Sequence, residues 1–168
     1  LNVAQNKALV ELNCTGNDIA TLNLTNLLLL EELYCGGNNL AALNVTKNTA
    51  LTALECNDNG LTALDLTKNV ALVTLNCRDN QLPSIHLGST LFTTIDCANN
   101  QLNNLNVSTF TKLQSLDCSH NNIATLDVAK CAAIETLNCS YNNIASLNVS
   151  ANSKLNTLDC SNNATLAK

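Results

Sequence analysis

The nine cysteines are the residues of this chain that could take part in the most kinds of chemistry, because thiols form disulfides, ligate metals and act as nucleophiles. Eight of them recur every 21 residues, with one interval of 20, at Cys14, Cys35, Cys56, Cys77, Cys97, Cys118, Cys139 and Cys160. An asparagine follows each one three residues later, at Asn17, Asn38, Asn59, Asn80, Asn100, Asn121, Asn142 and Asn163. Such regular spacing predicts two structural ladders, with one cysteine and one asparagine in each coil of a repeat.

Geometry argues against reactive roles for these thiols. Neighbouring strands lie about 4.8 Å apart, whereas the Cβ atoms of a disulfide lie about 3.8 Å apart, so cysteines stacked in register should stay reduced. One cysteine per coil, in a single line, cannot surround a tetrahedral metal ion. We therefore expect neither a metal nor a cofactor. The ladder, and Cys131 on another edge of the coil, should be buried free thiols.

Catalytic groups are not brought together by the repeat. His86 and His120 occupy different positions in the unit, so they should point from different edges and cannot share one nucleophile. The one interruption of the repeat, residues 80–92, has lost a residue and contains Pro83, His86 and Gly88. It offers one histidine without a clear partner, where an active site needs convergent polar groups. We predict that the chain is not an enzyme, and that residues 80–92 form a kink or an altered turn.

The amino-acid composition argues against further classes of function. The 168 residues are 46% apolar but only 2% aromatic. The spaces to be filled in the core must therefore be uniform in size, so that leucine can fill them. The net charge is −5 and the eight Lys and Arg are scattered singly, which argues against nucleic acid as a partner. No apolar run approaches the roughly 18 residues of a membrane span.

The elements that position these columns follow from the repeat unit, LxxLxCxxNxLxxLxVxxNxx. Its two halves echo each other, and the alternation in LxC and LxV is the period-2 pattern of a strand. The unit thus predicts two short extended segments per coil and little or no α-helix. Stacking about eight coils buries the leucine rows and makes a rod on the order of 40 Å long. We expect one domain over residues 1–168.

This unit resembles the leucine-rich-repeat family, whose signature LxxLxLxxNxL is matched with cysteine at the third apolar position. The 21-residue length and the cysteine column are similar to the bacterial class represented by internalin J, from Leu1 to Asn163. The resemblance implies a right-handed solenoid with a parallel concave sheet, in a secreted or cell-surface protein used for adhesion or partner binding. The helical cap and immunoglobulin-like domain that flank internalin repeats have no counterpart here. We therefore expect a fragment of a longer protein, or self-association through uncapped ends.

The outward positions of the cysteine-bearing strand form a polar, mildly acidic surface, the predicted binding face for a protein or surface glycan. Its candidate residues are Tyr34, Glu55, Arg78, Asp96, Asp117 and Asp159. Tyr34 and Arg78 have the anchor character of interface hot spots, and Tyr141 and His120 lie near the following turn.

An alternative function rests on the second extended segment, whose outward residues form flat rows of small polar groups that include Thr46 and Ser150. Such rows favour lateral packing of rods, so a self-associating structural rod or filament subunit is the second hypothesis. Ice binding by the same rows ranks third.

Overall fold

The computed structural model, which describes residues 1–164 and 166, is a solenoid built from ten short parallel strands. They are β1 (Glu11–Asn13), β2 (Glu32–Tyr34), β3 (Ala53–Glu55), β4 (Asp65–Leu66), β5 (Thr74–Asn76), β6 (His86–Leu87), β7 (Thr94–Asp96), β8 (Ser115–Asp117), β9 (Thr136–Asn138) and β10 (Thr157–Asp159). Eight of them form the main sheet, in the order β1-β2-β3-β5-β7-β8-β9-β10, and β4 pairs with β6. The parallel solenoid predicted from the repeat is confirmed, and the described residues contain no helix.

The main sheet is in register from end to end. Leu33 of β2 faces Leu54 of β3, and Leu75 of β5 faces Ile95 of β7 across the shortened coil. Because side chains alternate along a strand, this central residue points into the core while its two neighbours face outward. The cysteine that follows each strand also points inward, so leucine and cysteine rows build the core together.

The first asparagine column joins consecutive coils by hydrogen bonds. In one coil, the Nδ2 of Asn38 donates to the backbone oxygens of Cys35 and Gly36, and also to that of Cys14 on the preceding coil, at 3.0 to 3.2 Å. Its Oδ1 accepts from the backbone N–H of Ile19 at 3.0 Å. An amide carries both donors and acceptors, so one side chain satisfies backbone groups that a tight bend leaves unpaired.

The second corner of the coil uses mixed residues for a similar purpose. Nδ2 of Asn48 donates to two backbone oxygens of the preceding coil, at 2.7 and 3.1 Å. Asn69 and Asn152 bond in the same way. Where the column changes residue type, Cys131 Sγ donates to the oxygen of Val107 at 3.4 Å and Ser89 Oγ donates to that of Leu72 at 2.6 Å. The Asn, Ser and Cys members thus keep a donor pointed at the preceding coil, whereas Leu27 and Phe110 fill the same position with apolar side chains.

Residues 80–92 form an altered turn that leaves the main sheet intact. His86 pairs with Asp65 in the two-stranded sheet of β4 and β6, on the back of the solenoid. A Cβ built on Gly88 would lie 2.5 Å from the backbone oxygen of Thr67, so the shortened coil runs unusually close to its neighbour. The loss of one residue therefore alters the back of the solenoid and leaves the register of the main sheet unchanged.

Of the two extended segments predicted for each coil, the second pairs as a strand within the described residues only at β4 and β6. On the back of most coils an Asn or Asp side chain accepts from the backbone N–H two residues later, as Asn44 does from Thr46 at 3.1 Å. Asp65 of β4 makes the same bond to Thr67 at 2.9 Å and still pairs with His86, so this bond does not by itself prevent strand pairing. The back segments that pair are those of the shortened coil and of the coil before it.

Candidate functional site

Five of the six candidate binding residues lie on one row across the main sheet, at the last position of each strand. Tyr34 is in register with Glu55, and Asp96 with Asp117. Asp159 lies at the end of β10, the edge strand, next to Asn138. The parallel register therefore brings together side chains that are 20 or 21 residues apart in the sequence.

Most members of this row cap their own strand. Oδ1 of Asp117 accepts from the backbone N–H of Ser119 at 2.9 Å and from its hydroxyl at 2.6 Å. Asp96 and Asp159 likewise accept from the N–H two residues later, at 3.1 and 2.9 Å. The same bond is made by Asn13, Asn76 and Asn138. The aspartates are predicted from the sequence only as surface binding groups, although the restriction of six coils to Asn or Asp signals this structural role.

Tyr34 and Glu55 depart from this pattern, since neither carries the short side chain that caps the strand end. The half-buried Tyr34 donates its hydroxyl hydrogen to Glu32 Oε2 at 2.6 Å. This hydrogen bond, followed by partial desolvation and the charges of Glu32, Glu11 and Glu55, raises the pKa of Tyr34 to about 12. The sheet over β1 to β3 thus presents an aromatic ring among glutamates.

Arg78 is the basic member of the candidate set. Its Nε lies 2.7 Å from Asp79 Oδ2, and its Nη1 lies 3.6 Å from Asp96 Oδ2. Burial, and then the nearby charge of Asp117, raise the pKa of Asp96, while the strand-end hydrogen bond and Arg78 oppose that rise. Arg78 therefore neutralises the middle of the row, and the glutamates of β1 to β3 lie beyond it.

Two open grooves differ in chemistry. One, of about 360 Å³, lies on the main sheet and is lined by Glu55, Asp96 and the strand residues between them, including Thr74 and Thr94. The larger, of about 520 Å³, lies on the back and is lined mainly by small residues such as Ala42 and Ala63, together with Thr21 and Thr46. The main-sheet groove contains two of the predicted site residues and the back groove contains none.

The other two aromatic candidates form a stack at the edge of the solenoid. The rings of His120 and Tyr141 lie 4.1 Å apart and nearly parallel, at 11°. Both residues have φ of 52°, in a column where other coils use Gly, Asn or Asp. A bulky residue in this left-handed conformation is uncommon. Each ring presents one face to the other, so the pair stabilises neighbouring coils.

The nine cysteines are free thiols. Burial raises the pKa of Cys35 and of Cys77 to about 12, and that of Cys131 to about 11. A thiol nucleophile must ionise near neutral pH, so the environment of these residues suits packing rather than catalysis. Within residues 1–164 and 166, no three His, Cys, Asp or Glu side chains are grouped as metal ligands.

None of the described residues belongs to a helix long and apolar enough to cross a bilayer. Comparison with models of protein families and with curated protein sequences gives no match. Solved structures do match. The functional domain of InlJ from Listeria monocytogenes, which includes a cysteine ladder, is 41% identical with a TM-score of 0.94, over 95% of this chain and 36% of that one.

Two more distant structures share the fold. A leucine-rich-repeat protein of Leptospira interrogans is 22% identical with a TM-score of 0.82, over 95% of this chain and 44% of that one. Internalin C2 of Listeria monocytogenes is 20% identical with a TM-score of 0.83, over 94% of this chain and 74% of that one. This chain thus spans about a third of the length of the InlJ structure. With its cysteine ladder, asparagine ladder and in-register parallel sheet, the chain is an internalin-like leucine-rich-repeat domain.

Proposed function

We propose that this domain is a non-catalytic protein-binding module of a secreted or cell-surface protein, and that it contacts its partner through the outward face of the main sheet. The observation that carries the proposal is the contrast between the two faces of each strand. Inward positions repeat Leu and Cys, whereas the outward positions include Glu, Tyr, Thr and Ser beside the Asn and Asp that cap six strand ends, along eight strands in register. A rigid sheet with variable outward side chains is how solenoids present extended binding surfaces.

The chemistry of the face supports contact with protein. Tyr34 and Arg78 are the residue types that most often anchor interfaces, and both side chains are partly exposed. The groove between Glu55 and Asp96 lies within the same face. Use in adhesion is part of the proposal because the repeat unit resembles the internalin class, and the InlJ domain carries the same cysteine ladder.

Photo-crosslinking tests which face is used. We would place a photoreactive phenylalanine analogue at Thr74 on the main sheet, or at Ala63 on the back, and irradiate each variant with candidate host or matrix proteins. Both sites are surface positions in the same region of the solenoid, so they form a matched pair. The proposal expects a defined adduct from Thr74 and none from Ala63. Adducts from Ala63 alone would overturn the choice of face.

A self-associating rod is the second candidate, favoured by the wide back groove with its alanine floor. Light scattering coupled to size-exclusion chromatography, with electron microscopy over a concentration series, measures self-association directly. A monomer at all concentrations would exclude the rod. Ordered assemblies that dissociate on Thr46→Asp, a change within the lining of the groove, would make self-association the function instead.

A further inference from the structure

Five of the large exposed apolar side chains lie on the edge where the chain enters main-sheet strands. We call this set the entry ridge: Val10, Leu28, Leu29, Val70 and Leu91, with exposed fractions of 47%, 59%, 57%, 58% and 39%. Each precedes its strand by one to four residues. Exposed apolar residues grouped in this way mark interaction sites more often than scattered ones do.

The fold does not require these residues. The positions equivalent to Leu28 and Leu29 are Ala132 and Ala133 in one later coil and Ser153 and Lys154 in the next, and those coils stack equally well. The entry ridge is therefore confined to the coils from β1 to β7, and its apolar surface is not explained by packing within the chain.

Acidic residues lie directly beside the entry ridge. Glu31 and Glu32 follow Leu29 by two and three residues, and Glu11 is in register with Glu32 on the adjacent strand. Like charges facing each other across a sheet repel. Among the described residues both ion pairs are made by Arg78, so the structure supplies these glutamates with no cationic partner.

We propose that the entry ridge and these glutamates bind a segment of a partner protein in which lysine or arginine side chains are interspersed with large apolar ones. The inference rests on the proposed function and names the chemistry of the partner. Apolar side chains would pack on Leu28 and Leu29, and the cations would relieve the repulsion between Glu11 and Glu32.

A second copy of this chain fits the surface less well. Pairing two entry ridges would bring Glu31 and Glu32 of one copy towards the same residues of the other. The edge of the later coils does carry Lys112 and Lys154, but only Leu91 lies beside Lys112, and the apolar residues between the two lysines are Ala132 and Ala133, which offer little surface to two leucines. The repulsion between the glutamates and the small size of the alanines thus favour a partner other than a second copy of this chain.

Fluorescence anisotropy with defined peptides tests the inference at physiological ionic strength. The probe is a labelled dodecapeptide of alternating leucine and lysine, compared with peptides of leucine and glutamate and of serine and lysine. We expect binding of the first alone. The double variants Leu28→Asn/Leu29→Asn and Glu31→Gln/Glu32→Gln should each weaken it about tenfold or more, a loss of about 1.4 kcal/mol. The matched control, Ala132→Asn/Ala133→Asn, should leave it unchanged.

A graft provides an independent test that does not depend on loss of binding. Ala132→Leu/Ala133→Leu/Thr136→Glu recreates the pattern of residues 28–32 around the existing Glu135. Titration should then show a second peptide site on the variant. Circular dichroism would verify that each variant is folded before its binding is compared.

Three outcomes would overturn the inference. Equal binding by the Leu28→Asn/Leu29→Asn variant and its control would remove the entry ridge from the site. A dimer that this variant dissociates would assign the ridge to a second copy of the chain. Absence of peptide binding together with a specific adduct from Thr74 would reject the basic segment while leaving the protein-binding function standing.

Discussion

The side-chain oxygen of Asn121 accepts a hydrogen bond from the backbone N–H of Leu102, 2.9 Å away on the preceding coil. The Nδ2 of the same side chain donates to the backbone oxygens of Cys97, Cys118 and Ser119, each at 3.1 Å. One buried amide therefore satisfies four backbone groups and joins two coils. Aspartate lacks the donors and leucine lacks both functions, which explains why the column is asparagine in all eight coils.

Replacing this amide should destabilise the whole domain. We expect Asn121→Ala to lower the free energy of unfolding by about 2 to 4 kcal/mol, because it leaves several buried backbone groups unpaired. The neighbouring Asn122 has an exposed side chain, so Asn122→Ala is the matched control and should cost less than about 0.5 kcal/mol. Urea denaturation of both variants measures the difference. Equal stabilities would show that the ladder is dispensable.

The sequence predicted the fold because its framework residues repeat. Cys97, Asn121 and Leu54 each belong to a column whose spacing dictates parallel stacking in register. The binding face was harder to assign because Asp117 and Tyr34 occupy equivalent positions in the repeat. Only the structure shows that the Asp117 carboxylate accepts hydrogen bonds from Ser119, whereas Tyr34 points its hydroxyl at Glu32. Strand pairing on the back occurs within the described residues only at the shortened coil, which contains Gly88, and the spacing of the repeat does not reveal it.

Gly88 tests how closely the shortened coil approaches its neighbour. In Gly88→Ala the new methyl group would meet the backbone oxygens of Thr67 and Leu66, at 2.5 and 2.8 Å. Backbone cannot rotate away as a side chain can, so we expect a loss of about 1 to 3 kcal/mol in the free energy of unfolding. Gly60→Ala is the control, since its nearest atom would be the oxygen of Leu40 at 3.6 Å. Thermal unfolding of the two variants measures the difference. A Gly88→Ala variant as stable as Gly60→Ala would refute the close approach of the shortened coil to its neighbour.

Acid should change the contributions of Asp96 and Asp159 to the free energy of unfolding in opposite directions. Burial raises the pKa of Asp96, so its carboxyl binds a proton more readily in the folded state than in the unfolded state. The wild type should therefore gain stability relative to Asp96→Asn as the pH falls from 7 to about 4. Asparagine keeps the strand-end bond, as Asn138 shows, so Asp96→Asn should be at least as stable as the wild type at pH 7.

Asp159 supplies the contrast. Hydrogen bonds from the backbone N–H and hydroxyl of Ser161 lower the pKa of Asp159. Its stabilising effect is present above the unfolded pKa of about 4 and is lost as the pH falls below that value, so the wild type should lose stability relative to Asp159→Asn below about pH 4. Denaturation curves of the wild type and both variants from pH 7 to about pH 2 measure the two slopes, that of Asp96 above about pH 4 and that of Asp159 below it. Slopes of the same sign would contradict the assignment of burial to Asp96 and of hydrogen bonding to Asp159.

The cysteine ladder should make the domain sensitive to alkali. An unfolded thiol has a pKa of about 8.5, whereas burial, followed by the charge of Asp96, raises the pKa of Cys77 to about 12. Between these values the unfolded chain releases a proton that the folded chain retains, so stability is full below about pH 8.5 and falls as the pH rises towards 12. Each such thiol contributes a slope of up to about 1.4 kcal/mol per pH unit.

Comparing variants isolates this effect from other groups that titrate at high pH. Cys77→Ala should reduce the slope of unfolding free energy against pH by about one proton, because one buried thiol has been removed. Leu54→Ala also removes packing from the core but contains no titrating group, so it should lower stability without changing the slope. The measurement is urea denaturation from pH 8 to 11. An unchanged slope in Cys77→Ala would mean that the thiol ionises as easily in the folded domain as in the unfolded chain, which a buried ladder does not allow.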